Sequence, residues 1–157
     1  IELSKGKSIT TELFISQERF EEIKSKFGCP QKGDILITAV GSIGDVYVVD
    51  SETEFYFKDG NILWLKEIED SVNPFYLAFA LEAIIKKDMN KLAAGAAYKA
   101  MTIEKLKEIE VPIAPMEKQL EIMEHIKESK DFVKKNKLVI KQMKKKQASI
   151  IEQIYGR

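Results

Sequence analysis

The sequence predicts an α+β fold: a mixed, mostly antiparallel sheet with packed helices, followed by a long C-terminal coiled-coil helix. Two observations lead to this prediction. Over residues 1–113, short β-rich runs separated by glycines alternate with helical patterns, which is typical of a compact mixed domain. Over residues 114–157, a heptad spacing of apolar residues is sustained without a helix breaker between Pro115 and Tyr155.

The first elements are a short strand and a helix. Residues 1–11 predict a strand that runs into a polar loop. Ser16 is a suitable N-cap for a helix over Gln17–Phe27, whose apolar residues recur on one face. Gly28 is expected to end this helix.

Residues 32–49 contain two β-rich runs around a Gly-Ser-Ile-Gly turn at Gly41–Gly44. The two glycines indicate either a turn with backbone angles that other residues avoid or a cradle for a phosphate. Two more strands, Glu54–Lys58 and Asn61–Lys66, are predicted to form a hairpin through Asp59-Gly60.

The rest of the compact domain is expected to be mainly helical. Asn73 precedes a predicted helix over Pro74–Lys87, which is apolar almost all round and is therefore expected to be buried. A loop over 88–101 should follow, then a short helix Ile103–Glu108 and a strand Ile109–Ile113.

The long helix carries an apolar seam with a 4-3 spacing. We define the seam by Ile122, Ile126, Val133, Asn136, Ile140, Met143, Ile150 and Ile154. Asn136 is polar, as are Ser129 and Gln147 at the same spacing, and such residues are expected to fix the register or the partner at some cost in stability. Lys130, Lys137 and Lys144 flank the seam, and two antiparallel copies would bring these lysines together. The seam therefore favours a different helix as partner, although the helix could also fold back on its own domain.

Composition excludes several kinds of chemistry. The chain has 157 residues, 45% of them hydrophobic and 32% charged, with no net charge. A single cysteine and a single histidine exclude an intrachain disulfide and a site built from Cys or His clusters. We find no catalytic motif, signal peptide or membrane span, and so expect a cytoplasmic protein that is not an enzyme and holds no cofactor or metal.

Charge is concentrated in one part of the long helix. Residues 127–146 contain nine lysines against Glu128 and Asp131, a net charge of +7. Such a segment indicates a nucleic-acid or acidic-partner surface, or a solvated flank of a coiled coil.

Four motifs occur in a specific order. The first two are Lys-Gly-Asp-Ile-Leu-Ile-Thr-x-x-Gly-Ser-Ile-Gly (32–44) and Phe-Tyr-Phe-Lys-Asp-Gly-Asn-Ile-Leu-Trp-Leu-Lys (55–66). The others are Gly-x-x-Tyr-Lys-Ala-Met-Thr-Ile-x-x-Leu-Lys-x-Ile-x-Val-Pro-Ile (95–113) and Ala-Pro-Met-Glu-Lys-Gln (114–119). Together they resemble the target recognition domain of a type I restriction-modification specificity (S) subunit, with its trailing long helix.

The resemblance implies a DNA-recognition role. Such subunits usually have two target recognition domains, each reading half of a bipartite site in double-stranded DNA, and two long helices that pair antiparallel. Methyltransferase (M) and restriction (R) subunits join them and supply all the chemistry, with its S-adenosylmethionine, ATP and magnesium. This chain shows one recognition domain (1–113) and one spacer helix (114–157), and the resemblance implies that the domain lacks its N-terminal part. It is therefore expected to be a half-subunit that pairs as a homodimer, or a fragment whose partner helix lies in the same subunit.

Two loops suit DNA binding, because phosphate contacts use Lys, Ser, Thr and backbone amides. The candidate residues are Lys5, Lys7, Ser8, Thr10, Thr11, Gly95, Tyr98 and Lys99. The last three fall in a motif that the family shares, which suggests backbone anchoring. An alternative function is a coiled-coil interaction module whose globular head binds protein rather than DNA.

Overall fold

The computed structural model describes residues 15–52, 54–57, 60–92 and 100–156, and the chain divides into two compact units, Ile1–Gln119 and Leu120–Arg157. The fold is α+β, as predicted: a three-stranded antiparallel sheet, packed helices and a long C-terminal helix. In chain order the elements are α1 (Gln17–Phe27), β1 (Ile35–Thr38), β2 (Val46–Val48), β3 (Ile62–Leu65), α2 (Pro74–Leu92), α3 (Ile103–Lys107) and α4 (Met116–Tyr155).

The sheet has β1 at its centre, with β2 on one side and β3 on the other. Leu36 of β1 lies opposite Tyr47 of β2 and Trp64 of β3. Because side chains alternate along a strand, Leu36 and Trp64 share one face, while Ile35 and Ile37 share the other. All residues of β1 are buried, as expected for the strand that is paired on both edges.

The core lies between the sheet and α2. Ile35 and Ile37 are fully buried there against Leu81 and Ile85 of α2. The prediction that α2 is buried holds for one face only, since Phe75 and Phe79 are 49% and 38% exposed. One face of α2 therefore makes the core.

Local capping explains where the helices of the first unit begin. Ser16 Oγ accepts a hydrogen bond from the Arg19 amide at the start of α1, and Thr102 Oγ1 accepts one from Lys105 at the start of α3. Asn73 Oδ1 accepts from the amides of Phe75 and Tyr76. These side chains satisfy amides that have no partner within a helix.

Three sequence-based predictions need correction. Residues 54–57 are not a strand: β3 pairs with β1 on one edge, and these four residues do not pair with its other edge. Residues 109–113 are not a strand either: Ile109 donates its amide to the Leu106 carbonyl, and Pro112 has no amide to give. The predicted loop over 88–101 is helical up to Leu92. The predicted strand in residues 1–11 lies outside the described residues.

The long helix α4 begins one residue after Pro115 and ends at Tyr155, in agreement with the sequence. Its 40 residues correspond to a length of about 60 Å. Gln119, in its first turn, is its only buried residue. No helix among the described residues is long and apolar enough to cross a membrane.

Candidate nucleic-acid interface

The residues that the sequence predicted to bind DNA lie outside the described part of the chain. This holds for Lys5, Lys7, Ser8, Thr10, Thr11, Gly95, Tyr98 and Lys99. Their assignment to DNA binding stays a prediction. Just after the predicted loop that contains Gly95, Tyr98 and Lys99, the amide of the buried Met101 donates a hydrogen bond to the Ala39 carbonyl at 2.8 Å. The chain leaving this loop is therefore fixed beside the end of β1.

The turn Gly41–Gly44 follows β1 and is a structural turn. The amides of Ile43, Gly44 and Asp45 donate to carbonyls within residues 38–42. A phosphate cradle needs amides that point outward without a partner, and these three are already used. Gly41 and Gly44 both have positive φ, near 80°, a conformation that glycine adopts without strain. The turn geometry thus accounts for both glycines.

The turn is also packed against α2. A Cβ added to Gly44 would lie 2.6 Å from Cγ2 of Ile85. Lys86 forms an ion pair with Asp45 at 3.6 Å and a hydrogen bond with Glu82. The bond to Glu82 is the main reason why the pKa of Lys86 is raised. Contacts with Ile85 and Lys86 of α2 therefore hold the turn in place.

A buried carboxylate joins two of the motifs. Asp34 Oδ2 accepts hydrogen bonds from Trp64 Nε1 and from the Gln31 amide, both at 2.8 Å. The Trp64 ring meets Phe57 edge-on at 5.9 Å between centroids, and the Lys66 ammonium lies 5.5 Å from the indole centroid. Asp34 thereby fixes the orientation of the only tryptophan. Sequence reasoning missed this contact, although Asp34 directly precedes β1 in the first motif.

An open groove of about 850 Å³ runs between α1, β3 and α3. Its lining is mainly apolar and aromatic, with Phe20, Phe27, Trp64 and Leu106 among its residues. Of the cations at the groove, Arg19 pairs with Glu22 and Lys24 pairs with Glu54. The hydrogen bond to Glu54 raises the pKa of Lys24. With those two cations engaged by carboxylates, the groove is suited to apolar contact more than to phosphate.

Gln119 joins the first turn of α4 to the loop before α2. Its side chain is fully buried. Oε1 accepts from the Asn73 amide at 2.8 Å, and Nε2 donates to the carbonyls of Ser71 and Ala114 at 2.9 and 2.6 Å. The amide oxygen thus accepts one hydrogen bond and the amide nitrogen donates two, as the chemistry of a glutamine side chain allows. The signal in the sequence was the glutamine that ends the motif at 114–119. The apolar periodicity of α4 does not account for a glutamine at this position.

The seam of α4 is exposed over most of its length. Val133, Ile140 and Met143 are 49%, 52% and 66% exposed, and Ile150 and Ile154 are 46% and 62% exposed. The first seam residues, Ile122 and Ile126, are partly buried, and the polar seam residue Asn136 is exposed. The seam thus presents an apolar stripe to solvent.

Among the described residues, no three His, Cys, Asp or Glu side chains are grouped as metal ligands. His125 lies 4.0 Å from Glu121 and 3.7 Å from Glu128 on the surface of α4.

Comparison with known proteins identifies the family. The family model described as the type I restriction modification DNA specificity domain matches residues 4–149. A Haemophilus influenzae protein named as a type I restriction enzyme specificity subunit is 36% identical over 110 residues, which cover 70% of this chain and 27% of that protein. A Methanocaldococcus jannaschii protein, named as the MjaX specificity subunit of a type I restriction enzyme, is 30% identical over 95 residues, or 57% of this chain and 22% of that protein. The chain thus aligns with about a quarter of the length of these relatives, and it belongs to the family of type I restriction-modification DNA specificity domains.

Proposed function

We propose that this chain is a sequence-specific DNA-recognition module of a type I restriction-modification system. The head, residues 1–113, reads one half of a bipartite site in double-stranded DNA, and the spacer helix, residues 114–157, pairs with a second specificity-subunit helix. The observation that carries the proposal is the extent of the family match, because residues 4–149 include both the head and most of α4.

The exposed seam supports the pairing of α4. A row of apolar side chains at heptad spacing is typical of a helix that packs against another helix. Ile140, at 52% exposure, and Met143, at 66%, would lose contact with water in such a pair. Burial of a side chain of this size contributes about 1.5–3 kcal/mol. The occupant we propose is a second S-subunit helix, from the same subunit or from another copy of the chain.

The head is proposed to hold DNA through the two loops at residues 5–11 and 95–99. Lysines and hydroxyl side chains there would contact phosphates, which position a protein on DNA without specifying sequence. Base reading needs further side chains at groove depth. We expect Lys99→Ala to weaken binding to all duplexes similarly, with Lys87→Ala, an exposed lysine on α2, as the matched control.

The chain is proposed to direct M and R subunits to the site. In that assembly the chemistry, with its S-adenosylmethionine, ATP and magnesium, belongs to the partners, and this chain contributes recognition and spacing. The head and helix have separate tasks in this proposal, so they can be tested separately.

The helix is tested by a matched pair of substitutions. Ile140 lies in the seam and Leu138 lies outside it, and their exposures are similar at 52% and 56%. Ile140→Asn should weaken assembly with the partner helix, measured by light scattering or co-purification, while Leu138→Asn should not. Equal effects of the two changes would contradict pairing through the seam.

The head is tested by titration of duplex DNA at several salt concentrations. The affinity should fall as salt rises, since neutralised phosphates release counterions. One duplex from a mixed-sequence pool should also bind more tightly than the rest. Binding that is absent at low salt, together with assembly that still occurs through the seam, would favour the alternative of a head that binds protein.

A further inference from the structure

Six lysines form one continuous face of α4. The lysine face consists of Lys127, Lys130, Lys134, Lys137, Lys141 and Lys144, and all six are exposed. They alternate in steps of three and four residues. At 100° per residue they form two adjacent columns, and they extend over about 25 Å of helix.

No carboxylate neutralises this face. Within the described residues, none of the six lysines forms an ion pair, although Glu128 and Asp131 are close in sequence. Glu128 instead lies 3.7 Å from His125. A solvated helix flank usually carries both signs, because Glu and Lys four residues apart support the helix. The lysine face extends over about two and a half heptads, and Asp131, four residues after Lys127, lies beside it without an ion pair to any of the six lysines.

Pairing through the seam would not cover the whole face. The inner column, Lys130, Lys137 and Lys144, flanks the seam. The outer column, Lys127, Lys134 and Lys141, lies about 130° around the helix from the middle of the seam. A partner helix contacts the seam and its flanks, so the outer column would stay available in the assembled pair.

We propose that the lysine face binds the phosphate backbone of duplex DNA, as a contact without sequence preference that adds to recognition by the head. This inference depends on the proposed DNA-recognition function. Lysine ammonium groups act as point charges toward phosphates and position a protein without reading bases. An acidic protein is the weaker fit, because protein interfaces are enriched in aromatic residues and Arg and depleted in Lys.

The test compares two double substitutions of equal charge change. Lys134→Gln with Lys141→Gln removes two members of the outer column. Lys135→Gln with Lys146→Gln removes two lysines of the same helix that lie outside the face. Glutamine is a good helix former, so α4 should persist in both variants, which far-ultraviolet circular dichroism checks.

The measured quantity is the salt dependence of affinity for a mixed-sequence duplex, in the full chain. Each phosphate contact contributes about 0.9 to the slope of log K against log salt concentration. The outer-column variant should lose up to about 1.8 from this slope, and the control variant should keep the wild-type slope.

Each of the following results would overturn the inference. The slope could be unchanged in the outer-column variant, or it could fall equally in both variants, which would indicate an effect of net charge alone. The outer-column variant could also keep its slope and lose a partner protein, which would assign the face to an acidic protein surface. Wild-type protein without salt-dependent duplex binding would refute the proposed function as well, whereas the other results leave it standing.

Discussion

Replacing Gln119 tests what holds the first turn of α4, within the first unit, against the loop before α2. In Gln119→Ala, the Asn73 amide and the carbonyls of Ser71 and Ala114 lose their side-chain partner. A hydrogen bond of this kind contributes about 0.5–1.5 kcal/mol net, and more where the remaining group is shielded from water. Alanine returns a few tenths of a kcal/mol through helix propensity. We expect the free energy of unfolding to fall by about 2–4 kcal/mol.

Urea unfolding followed by tryptophan fluorescence measures this loss. The chain has one tryptophan, Trp64, and it lies in the first unit. With a slope of about 2 kcal/mol per molar urea, the unfolding midpoint should fall by roughly 1–2 M with little change in slope. Gln142→Ala, an exposed glutamine on the same helix, is the control and should stay within about 0.5 kcal/mol of wild type.

A second variant separates the hydrogen bonds from the burial of the side chain. Gln119→Met keeps a similar volume and loses all three bonds, so it should be destabilised nearly as much as Gln119→Ala. If Gln119→Met were as stable as wild type, the three bonds would not be what holds this turn. The same conclusion would follow if Gln119→Ala and Gln142→Ala had equal stabilities.

Two further substitutions test the turn and the buried carboxylate of the first unit. Gly44→Ala should cost about 2–4 kcal/mol in urea unfolding, because its Cβ would meet Ile85 and its φ is positive, while Gly41→Ala, with open space around it, should cost only about 1–2 kcal/mol. Equal losses of stability in Gly44→Ala and Gly41→Ala would show that the Ile85 side chain moves away from the added methyl group. Asp34→Ala should cost about 3 kcal/mol and alter the near-ultraviolet circular dichroism of Trp64, and Asp34→Asn, which keeps an acceptor oxygen, should cost less. An unchanged Trp64 signal in Asp34→Ala would contradict the role of that hydrogen bond.

Helix bounds were predictable where local chemistry determines them. Ser16 and Gly28 delimit α1, and its predicted bounds match the structure. Pro115 and the long run without Gly or Pro similarly predicted α4. These signals act over a few residues and do not depend on distant contacts.

Strands were less predictable because strand pairing depends on contacts between residues that are distant in sequence. Residues 54–57 have β-favouring side chains and precede a hairpin signal, yet β3 takes β1 as its partner. Residues 109–113 have a suitable pattern, but Tyr76 Oη binds the Pro112 carbonyl in place of a neighbouring strand. Helix α2 continued to Leu92 since nothing before Gly95 breaks it.

The long-range contacts within the first unit were the hardest to predict. Asp34 meets Trp64 thirty residues later, and Gln119 meets Ser71 and Asn73 from more than forty residues away. Sequence motifs marked both regions without indicating that their members touch. The seam, in contrast, was identified from spacing alone, because a heptad pattern does not require knowledge of the partner, and its pairing stays a prediction.

The most direct test of the central proposal is to co-express the chain with the M subunit of its system and map the methylated bases in the host DNA. We expect methylation at a bipartite site whose half matches the preference of the head. A palindromic site would mean that two copies of the chain pair, and a non-palindromic site would mean that a second, different head takes part. A stable complex with the M subunit that leaves the methylation pattern the same as in cells without this chain would contradict the proposal that the head reads DNA.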